Sequence, residues 1–372
     1  MGLATLSGRI LVVNSGSSSL KVHVIGADDA VVSSADLPSM KDGAREGLER
    51  FVRGERDIDA VGHRVVHGGA DLREPVLITE TVLARLRALV ELAPLHQPAA
   101  IAAIEAASTA LPGVPQVACF DTAFHATIPD PAAIYAIPRE WTLRFGIRRY
   151  GFHGLSHAYA ARRSAELIGR PLAEIRVVTC HLGAGASLAA VDGGRSVDTT
   201  MGFTPLEGLV MATRAGSIDP GMLLWLQRRG IEAEEIEDAL ERRSGLLGVS
   251  GLSGDMREVL AASEHGDERA VLAIAIYLHR LRAGIAQMAA AMGGVDAIAF
   301  TGGVGEGSAR IRREACAGLA FLGVALDAAI NERSRQDADL SAPSASTRVL
   351  LVRAREDLEV ARATRRILTP AS

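Results

Sequence analysis

Lysine is almost absent from this 372-residue chain, in which Lys21 and Lys41 are the only two. A P-loop places its lysine directly after a glycine, but Leu20 precedes Lys21 and Met40 precedes Lys41. Without a Gly-Lys pair the chain has no Walker A motif. Nucleotide binding through a P-loop is therefore excluded.

Cysteine is also scarce, and Cys119, Cys180 and Cys316 form no Cys-x-x-Cys pair. This scattered, odd-numbered set is typical of a reducing compartment and argues against a zinc site. The longest apolar run, residues 271–278, ends at His279 and is too short to cross a bilayer. No charged segment followed by a long apolar run begins the sequence, so we expect no signal peptide, no membrane partner and a cytoplasmic location.

An excess of positive charge is missing too, since the net charge is −4. Nucleic acids select clustered Lys and Arg, so we expect no nucleic-acid partner. Hydrophobic residues make up 48% of the chain and charged residues 23%, which is typical of a globular enzyme. The length predicts about two domains, each with its own core.

Two common enzyme motifs fail as well. The dinucleotide fingerprint Gly-x-Gly-x-x-Gly is broken by Leu188 in one glycine-rich segment and by Ser308 in another. The hydrolase elbow Gly-x-Ser-x-Gly is missing around residues 15–17 and 250–252. A Rossmann dehydrogenase and a serine hydrolase are therefore disfavoured.

Three glycine-rich segments are present, and each follows an apolar strand: residues 14–19, 181–187 and 302–308. Glycine lets the backbone approach an anion closely, and successive N–H groups form a nest for phosphate oxygens. The third segment is predicted to be a loop that feeds a helix at Ser308. Together the three predict a nucleotide-binding cleft.

The first two segments lie inside units of the same pattern. Strands are predicted over residues 9–13, 20–25 and 30–34, and again over 176–180, 187–191 and 195–199. This recurrence half a chain apart predicts a duplicated domain. Helices are predicted over residues 81–92, 98–110, 157–168, 231–243, 268–292 and 357–368, with a loop over 334–348. Alternating strands and helices predict α/β layering.

Arginine, histidine and carboxylates gather in short segments bounded by Gly or Pro. They lie in residues 62–69, 94–98, 120–125, 148–157 and 201–214. Phosphoryl transfer needs positive donors on the equatorial oxygens, a carboxylate-held metal and in-line alignment. Arginine supplies a fixed, permanently charged fork, and Asp and Glu supply oxygen ligands for Mg²⁺. These segments therefore predict phosphoryl transfer.

A resemblance to a known family is carried by residues 13–21, 62–69, 93–96, 120–125, 149–154, 201–208, 213–214, 218–220, 253–257 and 300–306. Through these stretches the sequence resembles the acetokinase family, which belongs to the acetate and sugar kinase/Hsp70/actin superfamily. They follow one another in the family's order along nearly the whole chain, which is more specific than any single motif.

The resemblance implies an α/β fold of duplicated actin-like (ribonuclease H-like) domains, each a mixed sheet flanked by helices, with a cleft between them. It implies an N-terminal domain over residues 1–150, joined by a C-terminal helix at 358–372, and a nucleotide-binding domain over 151–357. The implied reaction is reversible, direct in-line transfer of the γ-phosphoryl group of ATP to acetate, giving acetyl phosphate and ADP. Mg²⁺, or Mn²⁺ in its place, and a homodimer complete the expectation.

The resemblance also assigns roles by matched position. Arg64 and Arg214 would hold the carboxylate and the transferring phosphoryl group. His153 would donate to an equatorial oxygen, His181 would assist, and Asp121 would orient an arginine or the acetate. The methyl pocket would be Val66, Leu95, Phe152 and Pro205. The nucleotide would contact Lys21, His181, Gly183, Gly185, Asp255, Arg257, Gly303 and Gly305. The metal would lie beside Asn14 and Glu356.

Three positions depart from the family pattern. Ala184 stands where His-Leu-Gly-Asn-Gly has its Asn, Gly307 replaces the Asn of Gly-x-Gly-Glu-Asn, and Arg355 lies in the altered Thr-Asn-Glu-Glu segment. Ala184 lacks a side-chain donor to phosphate, and one lost charge-assisted hydrogen bond costs about 1.5–3 kcal/mol. We therefore expect weaker nucleotide binding or another phosphoryl donor. Propionate or another short-chain carboxylate remains an alternative substrate. A non-catalytic, nucleotide-binding actin-like protein is the alternative of another class.

Overall fold

The computed structural model describes residues 8–16, 19–40, 43–94 and 96–369. Within these ranges the strands are β1 (Ile10–Ser15), β2 (Ser19–Ile25), β3 (Val31–Pro38), β4 (Ala60–Val65), β5 (Val76–Leu77), β6 (Gln116–Phe120), β7 (Arg176–Leu182), β8 (Ala186–Asp192), β9 (Arg195–Thr199), β10 (Ala297–Thr301), β11 (Ala338–Asp339) and β12 (Arg348–Leu351).

The α-helices in the same ranges are α1 (Ala44–Gly54), α2 (Glu80–Ala88), α3 (Gln97–Ala110), α4 (Asp130–Ala133), α5 (Arg139–Phe145), α6 (Gly154–Ile168), α7 (Pro220–Arg228), α8 (Ala233–Arg242), α9 (Gly245–Ser250), α10 (Met256–Glu264), α11 (Glu268–Ala291), α12 (Gly302–Gly307), α13 (Ala309–Ala317), α14 (Ala328–Arg333) and α15 (Glu356–Leu368). The six strands predicted in the two repeated units correspond to β1–β3 and β7–β9. The predicted helices correspond to α2, α3, α6, α8, α11 and α15.

The two sheets have the same topology, which confirms the predicted duplicated α/β fold. The first has the order β3-β2-β1-β4-β6-β5, and the second, read from β9, has the order β9-β8-β7-β10-β12-β11. In each sheet an antiparallel three-stranded meander is followed by two parallel strands and a short antiparallel edge strand. In each half the carboxyl ends of the parallel strands therefore lie at one edge of the sheet.

The chain packs into two compact units. Unit 1 comprises residues 1–126, 152–159 and 355–372, and unit 2 comprises residues 127–151 and 160–354. The first sheet lies in unit 1 and the second sheet lies in unit 2. The domain boundaries implied by the resemblance, at residues 150 and 357, stay a prediction.

The core of unit 1 lies on both faces of its sheet. On one face, side chains such as Leu11, Val22 and Val61 pack with Leu48 of α1 and Ala103 of α3. α15 lies against β1, β4 and β6. Backbone and helix approach closely there, because a Cβ on Gly62 of β4 would overlap Thr364 Oγ1 and lie 2.6 Å from Val360 Cγ1.

We expect Gly62→Ala to lower the free energy of unfolding by about 1–3 kcal/mol, because a methyl group would push α15 off the sheet. Urea unfolding followed by circular dichroism measures the change. Gly54→Ala is the matched control, since a Cβ on Gly54 of α1 would meet no atom within 4 Å. Equal stability of the two variants would contradict this account of the packing.

The third glycine segment was predicted to be a loop, and this prediction is wrong, because residues Gly302–Gly307 form the short helix α12. Two side chains hold this glycine-rich turn of helix. Glu306 Oε1 accepts from the Gly302 N–H at 3.0 Å, and Arg312 Nη1 donates to the carbonyls of Gly305 and Glu306 at 2.8 Å. A helix does begin after Ser308, whose hydroxyl accepts from the Ile311 N–H at 3.2 Å.

None of the helices in the described ranges has the length and the apolar composition that crossing a membrane requires.

Candidate active site

Four of the predicted site residues meet at one edge of the sheet in unit 1. Asn14 of β1 and Arg64 of β4 are paired neighbours on parallel strands, and Asp121 directly follows β6. Glu356 is the first residue of α15, which packs on the same strands. The carboxyl ends of parallel strands meet at one edge of a sheet, so the loops beyond them bring these side chains together.

Arg64 is the centre of this group. Its Nε donates to Asp121 Oδ1 at 3.1 Å and its Nη2 to Asp121 Oδ2 at 2.6 Å, which is the bidentate geometry of a strong ion pair. Its Nη1 donates to Asn14 Oδ1 at 3.1 Å. Glu356 Oε2 lies 3.5 Å from Arg64 Nε and accepts from Asn14 Nδ2 at 3.3 Å. All three nitrogen atoms of the guanidinium therefore donate to a neighbour, which fixes the orientation of the group.

Burial and charge act in opposite directions on this pair. The Asp121 side chain is 1% exposed. Burial raises the pKa of Asp121 above its ordinary value, while the Arg64 guanidinium and the backbone N–H of His153 lower it part of the way back. Burial lowers the pKa of Arg64, but the charges of Asp121 and Glu356 outweigh this and raise it. Arg64 therefore remains cationic, and Asp121 depends on it for its own charge.

The segment around His153 is fixed against Asp121. His153 has a φ of 57°, a left-handed conformation that is uncommon for a residue other than glycine. The Gly154 N–H donates to the Asp121 carbonyl at 3.0 Å, and a Cβ at Gly154 would overlap that oxygen. His153 therefore lies in a strained turn of unit 1 that also holds Asp121.

The predicted methyl-pocket residues have different placements. Val66 and Phe152 are buried in unit 1, where Phe152 contacts the His67 ring edge-on at a centroid distance of 5.5 Å. Pro205 lies in unit 2 and is partly buried. Leu95 lies outside the described residues. Their role toward a methyl group stays a prediction.

Lys21 of β2 lies in unit 1, where it pairs with Asn14 in the β1–β2 ladder. Its side chain is exposed. Ser15 Oγ, at the end of β1, is buried and has no hydrogen-bond partner within the described part of the chain. Buried hydroxyls are usually paired, so this one is left with capacity for a ligand.

Unit 2 contains a cavity of about 680 Å³, the size of a small-molecule site. Its lining is Gly183, Ala184, Ala212, Thr213, Leu246, Gly254, Asp255, Met256, Arg257, Leu260, Tyr277, Gly303, Val304, Gly307 and Ser308. Four predicted nucleotide residues, Gly183, Asp255, Arg257 and Gly303, are therefore in it. Ala184 and Gly307, two of the departures from the family pattern, line it as well.

Three other predicted nucleotide residues, His181, Gly185 and Gly305, belong to unit 2 but do not line this cavity. His181 of β7 pairs with Thr301 of β10, and the Gly183 N–H donates to the Gly185 carbonyl at 2.9 Å. Gly305 is buried within α12. The Thr301 hydroxyl, where β10 meets α12, is buried and has no hydrogen-bond partner among the described residues.

Arg214 lies in unit 2, in the segment between β9 and α7. Its Nε donates to Glu241 Oε2 of α8 at 2.8 Å, and both side chains are 18% exposed. Sequence reasoning missed Glu241, because nothing in the pattern of a solvated helix separates one glutamate from the others. The ion pair positions the Arg214 guanidinium through α8.

Sequence reasoning also missed Arg312 of α13, whose side chain is fully buried. Besides its two bonds to α12, its Nε donates to Asn331 Oδ1 at 2.7 Å and its Nη2 to the Asn331 carbonyl at 3.0 Å. In a chain with this many arginines, position in the sequence gives no sign of burial. Arg312 thus stabilises α12, whose glycine residues form part of the cavity wall.

We expect Arg312→Leu to lower the free energy of unfolding by about 3 kcal/mol or more, since each buried acceptor left unpaired costs about 1–3 kcal/mol. The KM for ATP should rise as α12 loosens. Arg313→Leu is the control: its neighbouring exposed ion pair with Glu332 contributes about 0–1 kcal/mol. Urea unfolding and steady-state kinetics measure both effects, and similar behaviour of the two variants would contradict the role of Arg312.

Mg²⁺ is implied by the resemblance, and the oxygen atoms beside Arg64 fit it. Within the described ranges no three His, Cys, Asp or Glu side chains are grouped to hold a metal ion. Mg²⁺, however, keeps water and phosphate ligands and needs only one or two from the protein. Asn14 Oδ1 and the Glu356 carboxylate are hard oxygen donors of this kind. Arg355, one of the three departures from the family pattern, donates from its Nε to Asp357 Oδ1 at 3.0 Å.

Residues 40–362 match the model of the acetokinase family. The chain belongs to the acetokinase family. An acetate kinase from Synechococcus sp. strain JA-2-3B'a(2-13) is 52% identical over 312 residues, which cover 84% of this chain and 77% of that protein. An acetate kinase from Heliobacterium modesticaldum is 44% identical and spans 96% of this chain and 99% of that protein.

The structural comparisons agree with the acetokinase assignment. The crystal structure of Porphyromonas gingivalis acetate kinase superposes with a TM-score of 0.89 at 37% identity, covering 97% of this chain and 100% of that one. A propionate kinase from Francisella tularensis subsp. tularensis superposes with the same TM-score and identity, covering 96% and 99%. The duplicated actin-like architecture predicted for the chain is therefore that of acetokinases.

Proposed function

We propose that this acetokinase transfers the γ-phosphoryl group of ATP directly and reversibly to acetate, giving acetyl phosphate and ADP. The observation that carries the proposal is the Arg64 group, a cationic fork fixed by Asp121 beside the oxygen donors of Asn14 and Glu356. The cavity of unit 2 supports the nucleotide part of the reaction. Relatives that carry the name acetate kinase support the choice of acceptor.

The proposed roles follow from the chemistry of each group. Arg64 and Arg214 hold the acetate carboxylate and the transferring phosphoryl group, because a guanidinium fork matches both. Asp121 fixes Arg64 and acts as a positioning residue, since acetate is already ionised at neutral pH and needs no general base. His153 donates to an equatorial oxygen of the phosphoryl group, and His181 assists. Val66, Leu95, Phe152 and Pro205 enclose the methyl group.

Gly183, Gly185, Gly303 and Gly305 lie along the nucleotide phosphates in this proposal, because glycine lets the backbone approach an anion closely. Lys21, His181, Asp255 and Arg257 are the side-chain contacts. Mg²⁺, or Mn²⁺, would supply charge neutralisation of the phosphates when bound. Asn14 and Glu356 are the residues that would hold it. The hydroxyls of Ser15 and Thr301, which have no hydrogen-bond partner among the described residues, support anion binding, since each adjoins a glycine-rich segment.

The hydroxamate assay tests this function. Purified chain with ATP, Mg²⁺, acetate and hydroxylamine should form acetyl hydroxamate in proportion to enzyme. Absence of product with acetate, propionate and butyrate alike, in a chain that still binds ATP, would refute catalysis. That result would favour the non-catalytic, nucleotide-binding alternative.

Propionate kinase is the second candidate, because the propionate kinase of Francisella tularensis is as similar in structure as an acetate kinase. One methylene in an apolar pocket discriminates by about 1–3 kcal/mol, so both acids should react at different rates. The ratio of kcat/KM for acetate and propionate decides between them. A ratio above one supports acetate as the preferred acceptor.

A homodimer is part of the same proposal. In unit 2, α5 and α7 have no buried residue, yet they expose Trp141, Leu143 and Phe145 on one helix and Met222, Leu224 and Trp225 on the other. Exposed apolar surface of this kind often marks an association face. Light scattering during gel filtration gives the mass. A monomer at micromolar concentration would refute the dimer.

We expect Ala184→Asn to lower the KM for ATP by about tenfold or more, because the restored amide can donate one charge-assisted hydrogen bond to phosphate. Ala184 is exposed and lines the cavity of unit 2. The kinetics should be compared with ATP, GTP and pyrophosphate as donors. A better rate with pyrophosphate in the unaltered chain, lost in Ala184→Asn, would instead indicate a different natural donor.

A further inference from the structure

Unit 1 contains a second cavity, of about 420 Å³, whose lining belongs wholly to that unit. Its apolar wall includes Phe120 at the end of β6, Phe124, Leu155 of α6 and Ala363 of α15. Small-molecule sites have volumes of this order and mainly apolar walls. None of these four side chains has a role in the phosphoryl transfer proposed above.

The cavity also contains charged side chains on its rim. Arg362 lines it, but Asp29 accepts from Arg362 Nε at 2.7 Å and Glu359 lies 3.8 Å away. The charge of this arginine is therefore neutralised inside unit 1.

Two further arginines of the rim have no carboxylate partner among the described residues. Within these ranges the Arg366 side chain makes no ion pair or hydrogen bond, and the Arg73 side chain makes only a hydrogen bond from its Nε to the Ala70 carbonyl, at 2.8 Å. Besides Glu359, which lies beside Arg362, the described lining contains the carboxylate of Glu74. Two guanidinium groups against one carboxylate leave the rim with a net positive charge.

We propose that this cavity binds an organic monoanion with an apolar body, namely an aromatic or medium-chain carboxylate, and that its occupant acts on Asp121. Burial of a ring or alkyl chain against the apolar wall removes apolar surface from water and favours binding. The arginines offer the fork geometry that a carboxylate accepts. Inorganic phosphate leaves the apolar wall unfilled, and a neutral hydrocarbon leaves the arginines unpaired, so only a ligand with both parts satisfies the site.

The link to the phosphoryl-transfer residues is covalent and steric. Phe120 immediately precedes Asp121, and Gly154, which also lines the cavity, immediately follows His153. The Gly154 N–H donates to the Asp121 carbonyl at 3.0 Å, and a Cβ at Gly154 would lie 2.8 Å from Phe124 Cβ. The two segments are in tight contact, so neither can shift alone. A ligand that displaces Phe120 or Phe124 therefore moves Asp121 and, with it, Arg64.

Binding is tested on the full chain with 8-anilinonaphthalene-1-sulfonate, an apolar monoanion that fluoresces when buried. We expect one saturable site from which octanoate or benzoate displaces the dye, whereas ATP and inorganic phosphate do not. Arg73→Ser/Arg366→Ser should weaken dye binding by about tenfold or more. Ala158→Trp, which fills the cavity without changing charge, should abolish it.

The matched control is Arg45→Ser/Arg50→Ser, which removes the same charge from exposed positions of α1 in the same unit. It should bind the dye as the unaltered chain does. Equal weakening by the two double variants, displacement by ATP, or unchanged binding in Ala158→Trp would each overturn the site.

The effect on Asp121 rests on the proposed function and has its own readout. Saturating octanoate should change kcat/KM for acetate in the unaltered chain and in Arg45→Ser/Arg50→Ser, but not in Arg73→Ser/Arg366→Ser. Dye binding at the site without any kinetic change would overturn the coupling and leave the binding site standing. Failure of the phosphoryl-transfer assay itself would leave the dye measurement unaffected, so the two proposals fail separately.

Discussion

Arg64→Ala should lower kcat for acetyl phosphate formation by about 10³–10⁵-fold, the range that a phosphate-directed arginine contributes to phosphoryl transfer. Loss of this side chain removes the cationic fork and also releases Asp121, Asn14 and Glu356 from fixed positions. The hydroxamate assay at saturating ATP and acetate measures the effect. Turnover close to that of the unaltered chain would mean that the transfer site lies elsewhere.

The same substitution should also reduce stability. Asp121 is almost completely buried, and breaking a buried ion pair by removing one partner costs about 3–5 kcal/mol. Activity must therefore be measured well below the unfolding temperature, with circular dichroism confirming the folded state. Arg64→Ala/Asp121→Ala should recover part of the stability but none of the activity. That separation distinguishes a chemical role from a merely structural one.

Arg64→Lys tests whether the positive charge of Arg64 or its bidentate geometry is needed. Lysine keeps the positive charge but cannot form two parallel hydrogen bonds with Asp121. We expect a kcat between those of the unaltered chain and Arg64→Ala. Full activity in Arg64→Lys would show that charge alone suffices and that the bidentate geometry is unimportant.

Arg214→Ala should also lower kcat by about 10³-fold or more, because the proposal gives Arg214 the same kind of phosphoryl contact. Its effect on stability should be smaller than that of Arg64→Ala, since Glu241 is 18% exposed whereas Asp121 is 1% exposed, and the carboxylate left without a partner is better hydrated. Kinetics and urea unfolding on the same preparation measure both. A fall in stability without a fall in kcat would make Arg214 a structural residue.

Glu241→Gln is the matched variant for Arg214, because it keeps the shape of the partner and removes its charge. If Glu241 positions the guanidinium, kcat should fall by about tenfold while the KM for ATP changes little. A kcat equal to that of the unaltered chain would show that Arg214 is oriented without Glu241.

The sequence alone predicted several features correctly. The apolar strands and glycine turns of β1–β3 and β7–β9 are local patterns, and their recurrence indicated the duplication that the two identical sheet topologies confirm. The helices from α2 to α15 with clear apolar periodicity were found for the same reason. The motifs from residue 13 to residue 306 identified the acetokinase family, to which the chain belongs.

The glycine segment at residues 302–307 shows where local reasoning failed. Glycine favours loops, so the segment was predicted to be one, but Glu306 and the buried Arg312 supply hydrogen bonds that hold it as α12. The contacts from outside the segment come from Arg312 of α13, which also bonds Asn331. A tertiary interaction of this kind leaves no periodic signal in the segment itself.

The sequence by itself determined which residue types were available for phosphoryl transfer, because glycine turns, arginines and carboxylates are readable one segment at a time. Only the tertiary structure decided that Asn14 and Glu356, 342 positions apart, lie within hydrogen-bonding distance. It also decided that Arg64 is held by Asp121 and Arg214 by Glu241. Parallel strand pairing and the packing of α15 bring distant residues together, and both depend on the whole fold rather than on any local pattern.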